Sequence, residues 1–448
     1  MERFETRGSG EEKIIFVLPG FRSKFAANTH SLARDPREIS IRDYSYNLNE
    51  KYIAKYPLAE RDASRLLIYK DGIITEDIYR NISAHLPSET LLIFNDTRVM
   101  EARIFFRKPS GGVIEIFCLA PDSIYPDIST AMLQKGSVRW TCLIGGAGKW
   151  KHGMTLEKKI GFGNGEIQLQ ASIADRLKDS FVIWFRWTPS ELSFAEVLHQ
   201  AGVMPLPPYI KREAEPADQE RYQTIYAHYE GSVAAPTAGL HFTKTIFESL
   251  AQKRINTEFI TLHVGAGTFK PVKAQLMSGH EMHPEFMDVS LHTVEKIADK
   301  KENIFCVGTT SLRTVESLYW MGCKILLNPD INIRDLEISQ WEVYDSPGVD
   351  RVTSQAAFRA MAVWMQKRQM QRIICRTQIL IAPGYRTRVI SGLITNFHQP
   401  RSTLLLLVAA LIGNDWKKVY DYALMHSFRF LSYGDGCLIF TKREEIQS

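Results

Sequence analysis

The chain has 448 residues, 45% of them hydrophobic, and Lys+Arg 55 against Asp+Glu 50 leaves a formal net charge of +5. That size and apolar content suit a globular protein of two or three cores, and the charge is too small to mark a polyanion-binding protein by itself. The longest apolar run, residues 404–412, falls far short of the roughly 20 residues that span a bilayer, so it reads as a buried helix or strand. Six cysteines without any C-x-x-C pair argue against a zinc ribbon, an iron–sulfur site or a disulfide framework, and fit a reducing cytoplasm.

In chain order, residues 1–34 are polar and irregular, lack a small-residue cleavage site, and read as a flexible extension. Residues 91–94 predict a short buried strand ending in Asn95-Asp96-Thr97. Residues 99–188 then change texture. Alternating runs at 113–117 and 181–185 sit among turns such as Ser110-Gly111-Gly112 and Asn164-Gly165, predicting a separate small β-barrel. Helical periodicity returns at 192–200 and after the N-cap Thr243 through Ile246, Phe247 and Leu250. A strand at 259–264 precedes Gly265-Ala266-Gly267-Thr268, and another at 304–307 precedes Gly308-Thr309-Thr310-Ser311 and a helical run over 312–320. Residues 354–372 place Phe358, Met361 and Met365 on one helical face, a core contact. The expected class is α/β: a discontinuous mixed-sheet domain, 35–98 and 189–448, with an inserted small all-β barrel domain at 99–188.

Small and polar residues cluster in 231–243, where Gly231 and Gly239 let backbone approach a ligand and Ser232, Thr237 and His241 offer polar atoms; tight packing before a helix is the other reading. The hydroxyls of 308–311, with Arg313 one turn on, suit either an anion site or a capping turn. They lack the lysine and spacing of a P-loop, and no G-x-G-x-x-G marks a strand–helix junction. Between Arg351 and Asn414 there is no Asp or Glu but nine cations, eight of them arginine, which fits a nucleic-acid footprint or a face neutralised from elsewhere in the fold.

From about Ile39 onward the chain resembles the S-adenosylmethionine:tRNA ribosyltransferase-isomerases of queuosine biosynthesis. The resemblance rests on Phe94-Asn95-Asp96-Thr97-Arg98-Val99, Pro205-Leu206-Pro207-Pro208-Tyr209-Ile210-Lys211-Arg212, Glu220-Arg221-Tyr222-Gln223-Thr224 and the 231–243 motif. Thr261-Leu262-His263-Val264-Gly265-Ala266-Gly267-Thr268-Phe269, the 308–313 segment, Thr395-Asn396-Phe397-His398 and Ser432-Tyr433-Gly434-Asp435 complete it. Met100-Glu101 and Gln399 depart from the usual pattern without removing a chemical group. The resemblance implies ribosyl rather than methyl donation. Adenine and methionine leave, and an epoxycyclopentanediol forms on the aminomethyl-deazaguanine wobble base of tRNA, giving epoxyqueuosine. S-adenosylmethionine is then a consumed substrate; no metal or cofactor, no membrane and a cytoplasmic monomer are expected.

That chemistry needs a base, for which His241, His263 and His398 are candidates, and an acid near the sulfonium, Asp96 or Asp435. Arg98 or Arg313 would hold the methionine carboxylate. Ser232, Thr237, Gly239, Gly265, Gly267, Thr309, Thr310 and Tyr433 are expected substrate contacts. Lys211, Arg212, Arg368, Arg372, Arg376, Arg386, Arg388 and Arg401 are expected RNA contacts. His263 also suits a core strand, Asp96 a cap and Asp435 a turn. An inactive tRNA-binding relative and an ordinary S-adenosylmethionine-dependent RNA methyltransferase are the rival readings.

Overall fold

A computed structural model describes residues 35–108, 110–151, 153–265, 272–300, 303–346 and 352–441; the predicted N-terminal extension lies outside them. The main element is a nine-stranded mixed sheet. In spatial order its strands are Arg372–Thr377, Glu285–Ser290, Asn256–Leu262, Leu91–Asn95, Ile304–Val307, Gly392–Asn396, Gly436–Phe440, Arg65–Lys70 and Ile73–Ile78. The four central strands from Asn256–Leu262 to Gly392–Asn396 run parallel. Antiparallel pairs extend the sheet at both ends, with one further parallel pair, Gly436–Phe440 beside Arg65–Lys70.

Strand periodicity of two sends alternate residues to two cores. Leu67, Tyr69, Leu91, Ile93, Ile304 and Cys306 join one core with the 19-residue helix Thr309–Leu327 and helix Ser354–Lys367. Leu66, Ile68, Leu92, Phe94, Phe305 and Val307 pack on the other side against helix Lys244–Gln252. A central strand buried on both faces has no polar side, which is why 91–94 and 304–307 read as continuous apolar runs. Thr243 caps helix Lys244–Gln252 by accepting from the Ile246 N–H at 3.3 Å, as its position predicts. The apolar run at 404–412 forms helix Thr403–Ile412, capped by Ser402.

Between Leu91–Asn95 and Asn256–Leu262 the chain builds a second, seven-stranded antiparallel sheet. Its order is Gly202–Val203, Arg103–Arg107, Val113–Pro121, Ser137–Gly145, Phe181–Thr188, Gly165–Arg176 and Leu156–Phe162. It curves as a half-barrel around its own core of Ile104, Trp140, Leu169 and Phe185. Phe194 and Val197 of helix Phe194–Ala201 pack into that core, so this layer continues to Val203.

Candidate active site

The carboxyl ends of the central parallel strands open into a cleft walled chiefly by residues 234–238, 308–310, 395–399 and 431–432. These segments are far apart in sequence and meet because parallel strands point their carboxyl ends the same way. Gly308 is the hinge of one wall. Its φ of 90°, which side-chain-bearing residues rarely adopt, turns strand Ile304–Val307 into helix Thr309–Leu327. The first-turn N–H groups of that helix lack intrahelical acceptors and, with the Thr309 and Thr310 hydroxyls, give the wall an anion-favouring character. Asn95, at the end of strand Leu91–Asn95, donates from Nδ2 to the Leu262 carbonyl at 3.0 Å and to Thr310 Oγ1 at 3.2 Å. Its Oδ1 accepts from the N–H groups of Thr97 and Leu262. One amide thus fixes two strand ends and a cleft hydroxyl.

A second chain of hydrogen bonds fixes a tautomer. Thr237 Oγ1 donates to Asn396 Oδ1 at 2.8 Å, which leaves Asn396 Nδ2 to donate to His241 Nε2 at 3.4 Å. His241 Nδ1 must then carry the proton it donates to the Arg61 carbonyl at 3.3 Å. Thr237 and Asn396 line the cleft, whereas His241 has both nitrogens engaged within the protein and packs against Tyr79, ring centroids 4.4 Å apart and tilted by 33°. Burial, foremost, holds the His241 imidazole down to about 4, and the Arg429 and Arg61 charges push the same way.

His398 is the predicted histidine that lines the cleft. Its Nε2 shares a 2.8 Å hydrogen bond with Thr395 Oγ1, its N–H donates to the Tyr420 hydroxyl, and its carbonyl accepts from Tyr46. Burial pushes its pKa down to about 3, so it stands as neutral imidazole at physiological pH. His263 and Asp96 are not in the cleft wall. His263 Nδ1 meets Thr97 Oγ1 at 3.0 Å, and burial holds the ring down to about 4. Gly231, at φ 147°, allows that placement, since a Cβ there would lie 2.7 Å from the ring. Asp96 accepts from Thr261 Oγ1 at 2.7 Å, and burial raises its pKa.

The remaining expected substrate contacts divide. Ser232 is buried and bridges the Ala234 carbonyl and the Val264 N–H. Gly239 packs under the Tyr226 hydroxyl, and the Gly265 N–H donates to Glu285 at 3.3 Å. Arg98 is exposed, 3.6 Å from Glu230, and Arg313 is buried in an ion pair with Glu285, so neither stands in the cleft wall. Asp435 accepts from the N–H groups of Arg65 and Arg429, which makes it a turn-holding carboxylate. Tyr433 donates to Asp218 at 2.8 Å and lines a smaller neighbouring cleft together with His241. Gly267 lies outside the described residues.

The expected RNA contacts are scattered and partly neutralised. Arg212 makes a bidentate pair with Asp218 at 2.7 and 2.8 Å, Lys211 reaches Glu50 at 2.9 Å, and Arg372 reaches Asp288 at 2.7 Å. Arg376 lies 3.8 Å from Glu337, and Arg368 stacks on Trp364. The Arg388 N–H donates to Glu316, a carboxylate buried inside helix Thr309–Leu327. Arg401 donates to Ser45, and Arg386 is exposed. The acid-free window of the sequence is therefore supplied with acids by other segments.

Asn95 and Asn396 carry much of the geometry and were not singled out as site residues from sequence. Each is the last residue of a central parallel strand, and that position was the available signal.

A cleft at the carboxyl ends of parallel strands, walled by glycine–hydroxyl loops and a helix N-terminus, defines a small-molecule-binding α/β protein. The family described as queuosine biosynthesis protein matches residues 41–439, and the chain belongs to that family. S-adenosylmethionine:tRNA ribosyltransferase-isomerase from Pelobacter propionicus is 35% identical over 405 residues, 89% of this chain and 99% of that protein. Its namesake from Halothermothrix orenii is 35% identical over 410 residues, 90% of this chain and 100% of that protein. A solved structure titled S-adenosylmethionine tRNA ribosyltransferase, from Thermotoga maritima, is similar at 26% identity and a TM-score of 0.41, covering 89% of this chain and all of that one.

Proposed function

We propose that the protein is an S-adenosylmethionine:tRNA ribosyltransferase-isomerase. It moves the ribosyl group of S-adenosylmethionine to the aminomethyl-deazaguanine wobble base of tRNA, releases adenine and methionine, and leaves epoxyqueuosine. The observation that carries this reading is the convergence of residues 234–238, 308–310, 395–399 and 431–432 on one cleft. Apolar side chains and a few convergent polar groups line that cleft, the usual make-up of a small-molecule site.

In this reading His398, the histidine that faces the cleft, takes a proton from the reacting centre. His241 positions Asn396, and through it Thr237, rather than reacting itself. The helix N-terminus at Thr309 and Thr310 faces the oxygen atoms of the sugar as they rearrange. We read the inserted barrel module predicted at 99–188, carried on to Val203 by its last helix and strand, as a module of its own, the exposed cations Lys211, Arg368, Arg386 and Arg401 as RNA contacts, and the working protein as a cytoplasmic monomer that needs no metal or added cofactor.

Incubation with S-adenosylmethionine and tRNA bearing the aminomethyl-deazaguanine base tests the reading. Adenine and methionine should appear in equal amounts with modified tRNA. S-adenosylhomocysteine in place of adenine identifies a methyltransferase, and tRNA binding without either product identifies an inactive relative; each contradicts the proposal.

A further inference from the structure

The smaller cleft beside the main one is walled by Arg61, Arg221, His241, Leu240, Ser432 and Tyr433, and Ser432 lines both spaces. Its two arginines are unusual in their partners. Arg61 Nη1 donates to the carbonyls of Gln223 and Leu240, and its Nη2 to the Glu220 carbonyl. Arg221 donates to the carbonyls of Ala59 and Leu58. Neither guanidinium makes an ion pair with a carboxylate among the described residues, and the Arg221 Nε is buried with no hydrogen-bond partner there. The surrounding acids are otherwise engaged: Asp218 by Arg212 and Tyr433, Asp435 by Arg429, and Asp62 by Arg80 and Thr243. Glu220 is exposed and influences Arg61 without pairing with it.

Two half-buried guanidiniums that share a cleft and lack a counterion repel each other, and each keeps unused N–H donors. Burial, foremost, and the Arg221 charge lower the pKa of Arg61, while the charge of Glu220 pulls the other way. Carbonyl dipoles hold the two side chains in place without cancelling their charge.

We propose that this cleft is an oxyanion subsite of the active centre, taking one carboxylate or phosphate between Arg61 and Arg221. The proposal rests on the ribosyl-transfer reading, which supplies two such groups: the methionyl carboxylate of S-adenosylmethionine and a phosphodiester of the anticodon loop. The role assigned from sequence to Arg98 or Arg313 then passes to Arg61 and Arg221, whose cleft opens beside the one that holds the nucleoside.

The test compares wild type with Arg221→Gln, using S-adenosylmethionine, its decarboxylated analogue, and tRNA. If the site takes the carboxylate, the KM for S-adenosylmethionine rises tenfold or more in the variant, decarboxylated donor shows no such rise, and tRNA affinity is unchanged. If it takes a phosphate, tRNA affinity falls, its salt slope drops by about one, and the donor KM is unchanged. Unchanged donor KM and tRNA affinity in the folded variant overturn the proposal. Should Arg221→Gln fail to fold, wild type decides. A tenfold loss with decarboxylated donor, or competition by inorganic phosphate against tRNA, supports the subsite, and the absence of both overturns it. Adenine release by the wild type is indifferent to these outcomes, so failure of the subsite is separable from failure of the reaction.

Discussion

His398 and His241 are both buried and both neutral at physiological pH, yet their surroundings give them different work. His398 opens on the cleft with one ring nitrogen held by Thr395, while His241 spends both nitrogens on Asn396 and the Arg61 backbone. Replacing His398 by Ala should lower the single-turnover rate of adenine release by about 10²- to 10⁴-fold, the usual worth of a positioned acid or base, with little change in donor affinity. A rate within a few-fold of wild type removes His398 from the reaction. Gly231 offers a second residue-level check. Gly231→Val would drive a side chain into the His263 ring at a φ of 147° and should destabilise by at least about 1–3 kcal/mol, measured by urea unfolding. The 231–243 motif announced close approach, and at Gly231 the group approached is this protein's own histidine. Only coordinates reveal that, because the partner lies 32 residues away in sequence.

At the scale of elements, the helices and central strands were legible because their signals are local. Residues 91–94 and 304–307 are apolar throughout and form strands buried on both faces; Thr243 sits where an N-cap belongs and caps. Thr243→Ala should cost about 1 kcal/mol in urea unfolding, since the hydroxyl satisfies the Ile246 N–H and also meets Asp62 at 3.0 Å; no loss would mean the cap is idle. The arginine-rich window was not legible in the same way. Its acid-free composition left open a nucleic-acid footprint or a face neutralised from elsewhere in the fold, and Asp288 and Glu337 arrive from other elements to meet Arg372 and Arg376, while Glu316 anchors the loop at Arg388. Arg372→Gln with Arg376→Gln should therefore leave the salt dependence of tRNA binding within about half a unit of slope, whereas a drop near two would place both on the RNA. Sequence distance hides such pairs, and charge counts within a window cannot find them.

For the whole molecule, three imidazoles are held well below their usual range by burial: His241 and His263 to about 4 and His398 to about 3. The unfolded chain takes up protons near pH 6.5, before the folded one does. Their stability contribution is intact above about pH 6.5 and is lost as the pH falls toward about 4, so urea midpoints should decline over that window. A flat profile there would mean the histidines are not buried as described. The nine-strand order was beyond local signals, because its antiparallel ends are set by pairings such as Glu285–Ser290 with Arg372–Thr377. The carboxyl-end rule nevertheless places the loops after 91–94, 259–264 and 304–307 on one side, and the structure brings those of 308–310 and 395–399 to a common wall.

In the proposed reaction this wall holds the donor while its ribosyl carbons pass to the tRNA. S-adenosylmethionine carrying ¹⁴C in the ribose, mixed with protein and aminomethyl-deazaguanine tRNA, tests it most directly. Wild type should place label in the tRNA mole for mole with adenine released, and His398→Ala should lose both together. Label that stays with the small molecules while the tRNA gains a methyl group, or no change at all, would contradict it.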